Sequence, residues 1–462
     1  MNDYVRGSAW RVPVTACQPR PLSAFLSRNA QRRPASAIRS LLPLEQEPGM
    51  ISLLAGKPNP ATFPIEEIAV KVRLPDDASS PVVVAVTGDR LQKALQYGPT
   101  AGTPALVDWL AQLTSSLHGR PLPAQSSDST KPWQLAVGNG SQDLIVKAFE
   151  VILDSGDTAL LQSPTYPGVL PALCVGQVNT VAVESDEAGI RADALERMLA
   201  RWDVDEKTSS LARPKLLYMV PTASNPTGTS TSLDRKRALL RLARKYDFLL
   251  FEDDPYYHLS FEEATPSLFA LDGQDSDHDQ GRVLRFESLS KVMSAGLRIG
   301  FVAGPSVLVD AINKYTATSH LQVSGVSQCV AIAVLEQMGH RGFLQHAART
   351  ADFYRRRRDA FERIAHEILR AEPPVAEWTS PGGGMFLWLR LLLPLNANTA
   401  EGDSFALIST QARRAGVLAV PGVAFLASSG GTSTYVRVSF SLIGEEDTAE
   451  AFRRLRRVIL DL

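Results

Sequence analysis

Cysteine is scarce in this chain of 462 residues: Cys17, Cys174 and Cys329 stand far apart and are odd in number. Such a set offers no disulfide framework and points to a reducing compartment. No CxxC pair occurs, which argues against structural zinc and leaves no metal site to propose. Long apolar runs are missing too, and none approaches the ~18 residues of a membrane span. Net charge is close to nil, at −1 with a pI near 6.7, so the basic face of a nucleic-acid binder is not expected. No internal repeat is visible. What is there is a globular composition, 44% hydrophobic and 21% charged, on a chain long enough for more than one core.

Acidic residues are also rare at the start. Arg6, Arg11, Arg20, Arg28, Arg32, Arg33 and Arg39 face a single acid, Asp3, within the first forty residues. An Arg-rich, acid-poor start reads either as a mitochondrial presequence or as a basic arm that stays on the protein. Both compartments, cytoplasm and mitochondrial matrix, stay open.

From Trp133 onward, short apolar runs alternate with helical stretches. Trp133–Val137, Thr158–Gln162, Thr180–Val183, Lys215–Val220, Phe248–Phe251, Val283–Phe286 and Arg298–Ala303 read as seven strands. Ser141–Leu153 and Leu233–Tyr246 read as helices, the latter opened by Thr231-Ser232-Leu233-Asp234. Strands alternating with helices predict an α/β fold around a mostly parallel sheet covered on both faces. The last third changes character. A helical pattern over 341–371 carries Arg355–Arg358, read as a solvated face. Strands at Met385–Arg390 and Tyr435–Ser439, with helices around 403–415 and 446–460, predict a smaller α+β domain.

Ser288-Leu289-Ser290-Lys291, followed by Gly296-Leu297-Arg298, sets one lysine in a hydroxyl- and glycine-rich turn. Lys291 is there a candidate Schiff-base residue, with Ser288, Ser290 and Arg298 around a phosphate. That chemistry needs a carboxylate for a pyridine nitrogen, donors to a ring oxygen, a phosphate cup and a carboxylate clamp. Glu252-Asp253-Asp254-Pro255-Tyr256-Tyr257 ends a predicted strand, where ligands of open α/β sheets sit. Asp254 and Tyr257 are the carboxylate and phenol chosen from it. Asn225, in Ser224-Asn225-Pro226-Thr227-Gly228, is the ring-oxygen donor. Gly138-Asn139-Gly140-Ser141-Gln142 joins a strand to a helix, whose first N–H groups suit a phosphate. Asp143 stands where a dinucleotide fingerprint needs its third glycine, so that reading is set aside. Tyr166 can stack on a flat ring. Arg437, directed away from Val436 and Val438, can grip a carboxylate in a bidentate pair.

With these segments in this order, the chain from about Ser27 onward resembles the class I (fold type I) aminotransferases, and more narrowly their kynurenine/2-aminoadipate and fungal aromatic branch. Branch-like stretches are Met50–Leu53, Pro58-Asn59-Pro60, Ala94–Tyr97, Glu252–Tyr257, Gly296–Phe301 and Gly384–Trp388. The resemblance implies a pyridoxal 5'-phosphate (PLP) transaminase with a large domain over 98–335 and a small domain over 336–462. Residues 27–97 would begin the small domain, after an extension over 1–26. Lys291 would carry the cofactor and shuttle the substrate's α-proton. Asp254 would pair the pyridine nitrogen; Asn225 and Tyr257 would bond the ring oxygen; Tyr166 would stack on the ring. Ser141, Gln142, Ser288, Ser290 and Arg298 would surround the phosphate, and Arg437 would clamp the α-carboxylate. Tyr97 would reach the phosphate of a second subunit, implying a homodimer with shared sites. Arg39 and Gly56 would face substrate. Lys57 departs from the pattern, standing where relatives often have an apolar residue, and Leu289 replaces a common aromatic.

The implied reaction moves an amino group from an aromatic amino acid, kynurenine or 2-aminoadipate to 2-oxoglutarate or a similar 2-oxo acid. A lyase or decarboxylase on the same scaffold is the nearest alternative. A transcription regulator would need a DNA-binding module ahead of Ser27, and none is expected there.

Overall fold

Apolar runs of four to six residues are too short for helices and long enough for buried strands. The computed structural model describes residues 20–37, 41, 44–45, 47–54, 56–74, 81–122, 133–263, 265–274, 281–394, 402–427 and 431–462. A hairpin comes first, β1 (Ile68–Val72) with β2 (Val82–Val86). The large sheet then takes β3 (Gln134–Gly138), β4 (Thr158–Ser163), β5 (Asn179–Asp186), β6 (Gly189–Ile190), β7 (Leu216–Met219), β8 (Leu249–Asp253), β9 (Val283–Ser288) and β10 (Gly300–Gly304). Their order is β3-β10-β9-β8-β7-β4-β5-β6. The ladders from β9 through β8, β7 and β4 to β5 are parallel, whereas β10 and β6 run against their neighbours.

The sheet therefore has eight strands rather than the seven read from the sequence. The extra one, β6, is a two-residue return of β5 at the sheet edge, pairing Ser185 with Ile190. A pair of residues closing a tight turn leaves no apolar run to read.

Central strands have no polar face. All four residues of β7 and all five of β8 are buried, as a sheet covered by helices on both sides requires. Each fully buried Leu or Phe there contributes about 2 kcal/mol of transfer free energy. Leu233–Tyr246 is helical as read: the Ser232 hydroxyl accepts the Arg235 N–H at 3.4 Å, and Asp247 ends the helix in the left-handed region at φ 57°.

A second core surrounds the small sheet of β11 (Ala376–Glu377), β12 (Phe386–Leu391), β13 (Val420–Pro421) and β14 (Tyr435–Ser439), ordered β11-β12-β14-β13. The long helix Gly325–Leu369 joins the two cores and breaks at Gly339, where φ 61° and ψ 172° suit only glycine. The expected 336 boundary lies inside this helix, and Phe343, Ala347 and Ala351 beyond it still pack into the large core. The segment 27–97 divides, however. Ala30 packs into the large core with Leu22 and Phe25, while Val86, Leu91 and Ala94 form a third cluster with Cys329 and Ala333. Nor is Arg355–Arg358 wholly solvated. Arg357 donates to the Phe440 carbonyl at 2.8 Å and Arg358 to that of Pro381 at 2.6 Å.

Candidate active site

Five strands, β3, β4, β7, β8 and β9, point their C-terminal ends the same way, and the loops leaving them meet around one cavity of about 340 Å³. β3 delivers Ser141 and Gln142, β4 Tyr166, β7 Asn225, β8 Asp253 and Tyr256, and β9 Ser288, Ser290 and Lys291. Arg298 closes one side. From the small sheet come Phe386 on β12 and Arg437 on β14.

The turn before the helix Ser141–Ile152 is built for close approach. Gly140 has φ +83°, and a Cβ on it would lie 2.4 Å from Arg298 Nη2. That nitrogen donates to the Asn139 carbonyl at 2.9 Å, while Nη1 donates to Ser290 Oγ at 3.3 Å and the Ala295 carbonyl at 3.2 Å. Arg298 thereby ties the lysine turn to the helix start. A helix N-terminus, two serines and a guanidinium in one corner make a site for a dianion.

Lys291 lies half-buried in the cavity wall. Burial pushes its ammonium below the usual lysine range, and the cations Arg298 and Arg437 push the same way. Across the cavity, Arg437 Nη1 donates to Asn225 Oδ1 at 2.8 Å. Its guanidinium rests 4.1 Å from the Phe386 ring centroid and 5.2 Å from that of Phe425, which fixes its plane.

The acidic loop corrects the choice made from the sequence. Asp254 and Tyr257 do not reach the cavity; Asp253 and Tyr256 do. Successive residues at the end of β8 turn to opposite sides. Asp253 points with Phe251 towards Tyr218, whose hydroxyl donates to Asp253 Oδ2 at 2.6 Å. Asp254 points with Glu252 to Arg285, at 2.8 and 3.2 Å. Tyr257 packs on the same guanidinium, 4.7 Å from its ring, and on His118. Burial pushes its phenol up to about 12. Beneath the site, Arg285 thus serves three carboxylates, the third being Glu287 at 2.7 Å. Burial works to raise the Glu287 carboxyl, but Arg285 and then His118 and His258 hold it well below the usual range. Asp254 is raised instead, by burial first and by Glu252 beside it.

Asp253 is the residue that best tests whether the site suits a cationic ligand atom. It is 3% exposed, its Oδ1 has no partner, and its carboxyl is pushed up to about 7, chiefly by burial and further by Asp254, against the Tyr218 hydrogen bond. A protonated pyridine nitrogen supplies the charge this carboxylate lacks, so the residues present fit pyridoxal phosphate.

Of the other residues chosen from the sequence, Lys291, Asn225, Tyr166, Ser141, Gln142, Ser288, Ser290, Arg298 and Arg437 all line the cavity. Tyr97 and Gly56 do not; both are exposed in the single chain. Arg39 lies outside the described residues. Lys57 is paired with Glu45 at 2.7 Å. Among the residues missed, Phe386 sits within the Gly384–Trp388 stretch noted above, and Tyr218 has no signal beyond being a polar aromatic in a buried strand.

Residues 74–455 match the aminotransferase class I and II family. The chain is 42% identical to the aminotransferase tdiD of Emericella nidulans, over 95% of its length and 96% of the relative's. It is 37% identical to the mitochondrial kynurenine/alpha-aminoadipate aminotransferase of Mus musculus, over 95% and 98%. The crystal structure of the aminotransferase Aro8 from Candida albicans superposes with a TM-score of 0.83 at 26% identity, covering 96% of this chain and 99% of that one. The chain belongs to the class I and II aminotransferases, with the fold of the fold type I PLP enzymes. It is a transaminase and its cofactor is pyridoxal phosphate; solved structures of the same fold hold the pyridoxamine form or a phosphopyridoxyl adduct. No helix among the described residues is long and apolar enough to cross a membrane.

Proposed function

We propose that the chain transfers the amino group of an aromatic amino acid, kynurenine or 2-aminoadipate to 2-oxoglutarate or a similar 2-oxo acid. The observation carrying this reading is the meeting of Lys291, Asp253 and Arg437 in one cavity, Asp253 held by Tyr218 and Arg437 by Asn225. Relatives named for kynurenine, aminoadipate and aromatic substrates support the substrate class. A lyase or decarboxylase reading has no such support.

When bound, PLP supplies an aldehyde for the amino group and a ring that accepts electrons from the substrate's α-carbon. Lys291 would hold that aldehyde. Burial, Arg298 and Arg437 all disfavour its charged form, and Nζ, once freed from the aldehyde, would take the proton from the α-carbon and hold it for return. Asp253 would pair the pyridine nitrogen. Asn225 and Tyr256 would bond the ring oxygen, and Tyr166 would cover the ring. Ser141, Gln142, Ser288, Ser290 and Arg298 would hold the phosphate. Arg437, stiffened by Asn225 and Phe386, would orient the substrate's α-carboxylate.

A homodimer with Tyr97 reaching the second subunit's phosphate is part of the proposal. It is supported by the exposure of Tyr97 (56%), Ile51 (89%) and Leu53 (100%) in the single chain. Arg39 is proposed to pair with an acidic side chain and to leave for an aromatic one. Arg39→Ala should then weaken the dicarboxylate half-reaction more than the aromatic one; equal losses would refute the switch. The basic start and the mitochondrial relative favour matrix import, which fluorescent fusions with and without residues 1–19, a cut that spares Leu22 and Phe25 of the large core, test. The substrate assignment is tested by adding amino acids singly to the yellow holoenzyme and following its absorbance. Kynurenine, 2-aminoadipate or an aromatic amino acid should bleach it fastest; faster conversion by alanine or aspartate would contradict the assignment.

A further inference from the structure

Asp143, Lys147 and His320 form a cluster behind the cavity wall. Lys147 follows Asp143 by one turn of the helix Ser141–Ile152 and is 3% exposed. Its ammonium lies 2.8 Å from Asp143 Oδ2 and 2.7 Å from His320 Nε2. The same Asp143 oxygen accepts the Asn139 N–H at 3.0 Å, and Asn139 is the residue whose carbonyl Arg298 holds. A charged ammonium only donates, so His320 Nε2 accepts and Nδ1 carries the hydrogen, which it donates to the Gln322 carbonyl at 3.0 Å. The Gln322 side chain accepts the Gly98 N–H at 2.5 Å and donates to the Gln96 carbonyl at 3.4 Å. One unbroken run of polar contacts therefore joins the Asn139–Ser141 turn to both residues that flank Tyr97.

We propose that Lys147 and His320 are positioning residues that hold the phosphate-facing turn and the Tyr97 segment as a single unit. The inference rests on the reading of that turn as the cofactor's phosphate cup. Its physical basis is that a buried ammonium with two directed partners has little freedom. Removing it leaves Asp143 without its cation, and the carboxylate that fixes the Asn139 N–H is then free to turn to solvent. The turn loosens on one side and the Gln322 link on the other. Neither Lys147 nor His320 lines the cavity.

The test titrates the apoprotein with PLP and records the 31P resonance of the bound phosphate. Lys147→Met is expected to raise the PLP dissociation constant about tenfold and to shift the resonance. Lys147→Arg, which reaches both partners, is expected to restore both readings. His320→Asn, at a half-buried position, loses the Nε2 acceptor and should move both readings in the same direction as Lys147→Met. Arg298→Gln serves as the control on the phosphate cup. If Arg298→Gln weakens PLP binding while Lys147→Met and His320→Asn leave affinity and resonance unchanged, the positioning role is wrong. If Arg298→Gln also leaves binding unchanged, the phosphate-cup reading fails and the inference with it.

Discussion

Two aspartates and two tyrosines stand side by side in Glu252–Tyr257, and one of each faces the cavity. The doublets hid the answer in the sequence: residue type says that a carboxylate and a phenol are present, whereas their phase is set by β8. That strand is buried on both faces, so no alternation of polar and apolar residues marks which side faces the ligand. Lys291, Asn225 and Arg437 were legible because each is the sole residue of its type in its turn or strand. The pair also separates in experiment. Asp253→Asn should lower kcat/KM at least about a hundredfold, whereas Asp254→Asn, which leaves Arg285 with Glu252 and Glu287, should cost stability and less than about tenfold in rate. Equal losses would contradict the distinction, and a larger loss for Asp254→Asn would return the choice to Asp254. Asp253 also makes a pH prediction. Its carboxyl is raised from 3.8 to about 7 in the folded chain, so the folded apoprotein binds more protons than the unfolded chain over that range. The Asp253 contribution is present below 3.8 and is lost as pH rises towards about 7. Melting temperatures of the apoprotein should fall through this window relative to Asp253→Asn, and PLP should reduce the difference.

At the scale of elements, the strands read for the large sheet fall within two residues of those observed except β5, which runs three residues further to Asp186. The hairpin of β1 and β2 and the helices Pro104–His118 and Ser306–Ser319 were not read. What was not legible depends on contact. β6 is set by a turn, and the break at Gly339 by a single left-handed residue in a helix that changes cores only beyond Ala351. The junction of β10 with the phosphate-facing turn is likewise tertiary. A Cβ on Gly300 would lie 2.4 Å from the Ser141 nitrogen and 2.5 Å from the Gly140 carbonyl carbon, both backbone atoms that have no room to yield. Gly300→Ala is therefore expected to displace the helix start and weaken PLP binding about tenfold or more. Isothermal titration of the apoprotein measures this, and wild-type affinity would show that the turn accommodates the methyl group.

In the whole molecule, the cavity draws on both cores. Arg437 comes from the small sheet and Asn225 from the large one, and their 2.8 Å hydrogen bond spans the two. The proposed dimer extends this sharing to a second chain, and a mixing experiment tests it. Tyr97→Phe and Lys291→Ala homodimers should each be impaired. Refolded together, they should recover activity, because half the sites of a mixed dimer would have Lys291 from one chain and Tyr97 from the other. No recovery would place Tyr97 in its own chain's site or outside both. The central claim is that Lys291 carries the cofactor, and borohydride reduction of the holoenzyme followed by peptide mass mapping tests it most directly. The account predicts a phosphopyridoxyl group on the peptide containing Lys291 and on no other; the group on a different lysine, or no labelled peptide, would contradict it.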